Sequence, residues 1–146
     1  MTNADPHAPR TVVPIEPSLL IAEAFDQAQV TEIRHSVTSC AYACGLVGQR
    51  LDDFVLAVNE LITNAVRHGG GRGWLRLWQE PGELLCEVAD HGHGITPQRL
   101  GDRSRPAADT AGGWGLWLAR ELTDAMEIAT SSAGTTVRIT ATLHTP

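Results

Sequence analysis

At 146 residues with a net charge of -6, the chain is one domain's worth of sequence, long enough to bury a core without metals or disulfides. No apolar run approaches the roughly eighteen residues of a membrane span, and the acidic balance weighs against a broad nucleic-acid surface, which must neutralise phosphates with cations. All 11 basic side chains are Arg, which excludes a Walker A loop, a protein-kinase strand Lys and a Schiff-base Lys.

Residues 1–17 hold four of the eight prolines and little apolar periodicity, and read as a flexible N-terminal extension before a single domain over 18–146. No positively charged and then apolar leader opens the chain, and three cysteines fit a reducing interior, so a cytoplasmic protein is expected. Leu19 to Phe25 is a short apolar run suited to an edge strand. From Gln27 to Gly45, Val30, Ile33, Val37, Cys40, Ala41 and Cys44 recur at helical spacing. Cys40 and Cys44 lie one turn apart, but no further metal ligand stands beside them, and they read as small core thiols.

A second, longer helix is expected from about Arg50 to His68, with Gly69, Gly70 and Gly71 as its stop. Leu51, Phe54, Val55, Val58, Leu61, Ile62, Ala65 and Val66 fill one arc of its wheel. Asp53, Glu60, Asn64 and Arg67 gather opposite. Glu60 and Asn64 are then one turn apart on one face. A solvated helix face would look the same, so the pair acquires meaning only from the rest of the chain.

Two alternating runs follow, Trp74 to Glu80 and Glu83 to Asp90, joined by a Pro81-Gly82 turn as an antiparallel hairpin. In the second, Leu84, Cys86, Val88 and Asp90 share a face. A carboxylate on the core side of a strand end is costly unless something donates hydrogen bonds to it. Gly92 and Gly94 come next and allow backbone to approach a ligand closely. Residues 96–112 show no period and read as a lid between Gly94 and Gly112. Gly112-Gly113-Trp114-Gly115-Leu116 then opens a helix ending near Asp124, and such an opening presents free N–H groups to phosphate. Strands are expected at Met126 to Thr130 and Thr136 to Thr142. In the latter, Val137, Ile139, Ala141 and Leu143 alternate against Thr136, Arg138, Thr140 and Thr142.

Four motifs thus occur in order: Glu-x-x-x-Asn on a helix, Asp-x-Gly-x-Gly after a strand, Gly-x-Gly-Leu opening a helix, and Gly-Thr-Thr entering a strand. Over roughly Phe25 to Leu143 this order resembles the GHKL ATPase superfamily, and the wording Asn-Glu-Leu-Ile-Thr-Asn-Ala-Val-Arg-His is most similar to anti-sigma-factor serine kinases. The resemblance implies a Bergerat ATP-binding fold of α/β class, an α+β two-layer sandwich with helices on one face of a mixed, mostly antiparallel sheet. It implies ATP and Mg²⁺, with Asn64 as metal ligand, Glu60 as general base, and Asp90 as acceptor of the adenine amino group. Gly92 and Gly94 would pass close to the nucleotide, and Gly113, Gly115 and Leu116 would offer N–H groups to phosphate. Thr136 would support the adenine side, and Arg105 on the lid could close over a terminal phosphate. The partners it implies are a sigma factor and a STAS-type anti-sigma-factor antagonist, without direct nucleic-acid or membrane contact, and a possible homodimer through the N-terminal strand and first helix.

One departure is visible: Ala111 takes the first glycine place of the third motif, and Trp114 separates the other two. Two other functions compete with the kinase. One is an ATP-gated binding module without significant phosphoryl transfer, indifferent to loss of Glu60. The other is metal-dependent hydrolysis at His91 and His93, although no further ligand set accompanies that pair. His35 lies on the first helix without the second helix of a phosphoacceptor hairpin, and the four tryptophans read as packing.

Overall fold

A computed structural model describes residues 18–92 and 114–143. The expected extension, the lid, and with them Gly94, Arg105 and Gly113, lie outside the described residues. Five strands form one sheet in the order β1-β2-β3-β5-β4, comprising β1 (Ser18–Asp26), β2 (Arg72–Glu80), β3 (Glu83–Asp90), β4 (Ala125–Ser131) and β5 (Gly134–Thr142). Every pairing is antiparallel, so the parallel component of the expected mixed sheet is absent among the described strands. Among the described residues three helices, α1 (Val30–Ala43), α2 (Gly48–His68) and α3 (Trp114–Glu121), join the sheet in an α+β arrangement.

The first helical stretch begins differently from its periodicity. Asp26 caps a single 3-10 turn over Gln27–Gln29: its Oδ1 accepts from Ala28 N at 2.8 Å, and Gln29 Oε1 accepts from Asp26 N at 2.8 Å. This reciprocal cap satisfies two backbone donors and turns the chain off the edge strand β1 into α1. Ile33, Val37 and Ala41 then face inward at helical spacing, and Cys40 and Cys44 pack at the margin of the core.

The centre of the molecule is α2 laid over β2, β3 and β5. Phe54, Val58, Leu61 and Ile62 are buried against Leu75, Leu77, Leu84, Cys86 and Ile139. The strand register aligns that set. Leu77 lies opposite Cys86, Cys86 opposite Ile139, and Val88 opposite both Leu75 and Val137. The Cys86 thiol is held well above its ordinary range, by burial first and by the Glu87 carboxylate second.

Among the described residues no helix covers the sheet's other face, yet Trp78 on it is only 5% exposed. The guanidinium groups of Arg76 and Arg138 lie 5.0 and 5.3 Å from its ring centroid, and its Nε1 donates to Glu80 Oε2 at 2.8 Å. Both arginines are anchored on Glu87, Arg138 through Nη2 at 3.0 Å and Arg76 through Nη1 at 3.5 Å. Two cation–π contacts pinned by one carboxylate cover an aromatic surface that would otherwise face water.

Candidate functional site

At the far end of the same helix and strand the packing changes character. Asp90, the last residue of β3, points to the helix side like Leu84, Cys86 and Val88 before it, and it lies opposite Gly73 on one neighbouring strand and Thr135 on the other. Its Oδ1 accepts from Gly92 N at 2.9 Å and from Thr135 N at 3.3 Å. The carboxylate therefore ties the start of the loop after β3 to the beginning of β5. No partner for Oδ2 occurs among the described residues.

The cost of a core-facing carboxylate is met by backbone donors on one oxygen, which leaves the other as an acceptor. Side chains are withheld around it. A Cβ on Gly92 would stand 2.6 Å from Gly69 Cα and 2.6 Å from His68 O, so the loop runs directly against the end of α2. Gly69 is in turn pressed against Asp90 itself.

Asn64 stands five residues before Gly69, about 7.5 Å along the helix axis at 1.5 Å per residue. Its carboxamide abuts the first turn of α3: a Cβ on Gly115 would lie 2.8 Å from Asn64 Nδ2 and 3.0 Å from Oδ1. Gly115 is buried and Leu116 half-buried there. The first turn of a helix leaves N–H groups without intrahelical partners, so α3 brings donors to the carboxamide of α2. Glu60 is one turn earlier on α2, half-buried as Asn64 is. Arg67 and His68 in the last turn are exposed and complement the helix dipole.

The structure thus gathers Asn64, Gly115, Leu116, Asp90 and Gly92 around the C-terminal half of α2, with Glu60 one turn behind. Thr136 is placed elsewhere. Strand alternation turns its side chain to the helix-free face, where it lines a cleft with Glu87, Glu127 and Arg138. The residue that meets Asp90 is Thr135, through its N–H, and Thr135 is buried with its hydroxyl 2.9 Å from that of Thr130. Gly69, in sequence only part of the expected helix stop, also lies against Asp90. His91 is exposed and stacks edge-on against Trp74 at 4.7 Å, and no metal-ligating cluster occurs among the described residues.

A sequence profile described as histidine kinase-like ATPase domain matches residues 24–141. No curated protein matches the chain in sequence. Among solved structures, the chain is similar to a Mycobacterium tuberculosis protein comprising RsbU and RsbW domains, with 21% identity and a TM-score of 0.63. That likeness covers 91% of this chain and 33% of the other, so the chain spans about a third of that structure. It is also similar to the histidine kinase domain of the E. coli osmosensor EnvZ, at 20% identity and a TM-score of 0.49, covering 85% of this chain and 90% of that one. At 21% identity the likeness to the first of these structures is one of fold. Among the described residues no helix is long and apolar enough to cross a membrane.

Proposed function

The chain belongs to the family of histidine kinase-like ATPase domains, and from that premise we propose that it is a Mg-ATP-dependent protein serine/threonine kinase and anti-sigma factor that phosphorylates a STAS-type antagonist in a partner-switching circuit. The observation that carries the reading is the convergence on one end of α2. Asn64 meets the glycine-opened turn of α3, and Asp90 has one oxygen saturated by backbone and one left as an acceptor. This donor and acceptor set suits ATP and Mg²⁺. The Asn64 carbonyl is an oxygen ligand of the kind a hard cation takes, and the Asp90 acceptor suits a base amino group. Backbone N–H groups near Gly115 and Leu116 suit phosphate oxygens.

Bound magnesium would supply charge neutralisation on the phosphates. The rest falls to the protein's own groups. Asn64 orients, Asp90 selects the base edge, and Glu60, one turn from Asn64 on the same face, accepts the proton of an incoming serine hydroxyl. The absence of Lys is accommodated because helix N–H groups, a cation and Arg share the phosphate charge. The kinship in fold with an RsbW-domain protein supports the partner-switching half of the proposal. The exposed edge strand β1 beside α1 supports a homodimer built there.

The test is incubation with Mg-ATP labelled on the terminal phosphate and candidate antagonist proteins, with wild type, Glu60→Ala and Asn64→Ala side by side. Label on a partner serine with wild type only is the expected outcome. Absence of nucleotide binding would sink the proposal. Binding without transfer, unaffected by Glu60→Ala, would replace the kinase with an ATP-gated regulatory module.

A further inference from the structure

Three consecutive glycines end α2, and the backbone requires only two of them. Gly70 and Gly71 have φ of 89° and 87°, where a side chain is strained whatever the space around it, and nothing lies within 4 Å of a Cβ added to either. Gly69 sits at φ -106°, ψ 24°, with its N–H donating to Ala65 O at 2.9 Å. Any L-residue adopts that conformation. What meets a side chain at 69 first is Asp90, which supplies all three of the nearest atoms: a Cβ there would lie 2.6 Å from Asp90 Cβ and 2.6 Å from Oδ2, and closer still to Cγ.

Asp90 has little room to retreat. Its Oδ1 is held by the N–H groups of Gly92 and Thr135. Its backbone carbonyl lies so close to Gly134, at φ 145°, that a Cβ there would overlap it. The loop residue Gly92 is itself against Gly69 Cα. The carboxylate is thus clamped by backbone on one oxygen, with bare backbone at Gly69 beside the other.

We infer that Gly69 is a positioning residue for Asp90: its missing side chain fixes the carboxylate orientation in which Oδ1 serves the fold and Oδ2 is offered to an N–H donor of a bound ligand. The inference rests on the nucleotide reading above for the identity of that ligand, a purine with an exocyclic amino group. The positioning itself rests on the geometry. A methyl at 69 must push the end of α2 away from Asp90, because turning the carboxylate does not relieve the contact with Asp90 Cβ, and the movement is centred on the contact of Gly69 with Asp90, five residues beyond Asn64 on the chain. Gly69 therefore contributes to base selection and not to phosphate binding.

The experiment compares ATP with inosine triphosphate, which carries a keto oxygen where ATP has the amino group, by calorimetry and by ligand-induced shift in Tm. Wild type, Gly69→Ala, Asp90→Gly and the double variant are measured with Mg²⁺. Gly69→Ala is expected to weaken ATP at least tenfold while changing inosine triphosphate less than twofold, so that discrimination collapses. In the Asp90→Gly background, which removes the Cβ as well as the carboxylate, the same substitution should have no further effect, since the atoms it meets first are gone. Unchanged discrimination in Gly69→Ala, or an additive loss in the double variant, overturns the inference.

Should Gly69→Ala alone fail to fold, the double variant with Asp90→Gly is expected to fold, because the whole obstructing side chain has been removed. Failure of both to fold also overturns it. A wild type that binds neither nucleotide refutes the nucleotide reading. The positioning claim is then decided by Tm without ligand: Gly69→Ala must lower it in wild type and leave it unchanged in Asp90→Gly.

Discussion

The helix α2 and the strand β3 meet twice, in opposite ways. At one end Phe54, Val58, Leu61 and Ile62 press aliphatic and aromatic volume onto Leu84 and Cys86. At the other, Gly69 lays bare backbone on a carboxylate whose partners are backbone N–H groups. The first contact is filled by side chains and the second is shaped by their removal. A packed end anchors the elements, so the site end can keep a polar acceptor and a gap without the two elements parting.

The largest test of that contrast is at the packed end. Ile62→Ala removes a side chain with no exposure and is expected to cost about 2–5 kcal/mol in urea unfolding, through lost burial and the cavity left behind. Asn64 and Asp90 would still bind nucleotide in the folded fraction. An effect on nucleotide affinity as large as that on stability would mean that the two ends are not separable.

At the site end, Asp90→Ala strands the N–H groups of Gly92 and Thr135 and should cost about 1–3 kcal/mol. It also removes the ATP-induced gain, which for wild type at a hundredfold excess over Kd is about 2.7 kcal/mol. Asn64→Ala, by contrast, should leave unliganded stability nearly unchanged while abolishing the Mg-dependent part of the ATP-induced rise in Tm. A large loss of stability without ligand would show Asn64 to be part of the packed end.

A smaller effect is expected from Asp124. The Thr142 N–H at 2.6 Å is the main cause that lowers its pKa, aided by Arg50 at 3.1 Å. A folded pKa below the unfolded one gives stability that is fully present above about pH 4 and is lost as pH falls through the folded value. With its side chain 42% exposed, the contribution should stay below about 1 kcal/mol. Asp124→Asn should flatten the acid limb of the stability profile by that amount, and an unchanged limb would refute it. Smallest in energy but clearest in readout, the Cys86 thiol should resist maleimide in the native protein and react only on unfolding, because burial holds it protonated.

Much of the architecture was legible because its side-chain periods are clean. Leu84-x-Cys86-x-Val88-x-Asp90 already put a carboxylate on the core face, and its need for backbone donors followed from desolvation alone. Boundaries moved by a residue or two where glycines intervene: β2 starts at Arg72 and α3 at Trp114. The Asp26-x-x-Gln29 capping box was present in the sequence and marks where the first helical period is interrupted, although hydrophobic spacing ran straight through it.

Strand alternation separates Thr135 from Thr136, setting the first on the core face and the second on the other. If Val137 shares the core face with Asp90, so must Thr135, two residues before it. Gly69 was not legible. Three glycines in a row look alike until φ separates the two that the turn demands from the one that Asp90 demands. Nor could the sequence show that Arg76 and Arg138, on different strands, would share Glu87 over Trp78, because that depends on strand order.

The pairing of Asp90 with Thr135 also has a consequence for how the protein is born. The hairpins β2-β3 and β4-β5 each close locally, but the seam between β3 and β5 joins residues 45 apart in sequence. The entropy of closing that span must be met before the contact is rewarded. A nascent chain can therefore assemble α2 on the first hairpin and expose Asp90 well before Thr135 leaves the ribosome. Until then the carboxylate lacks one of its two backbone donors, so competence to hold a ligand is among the last properties the polypeptide acquires.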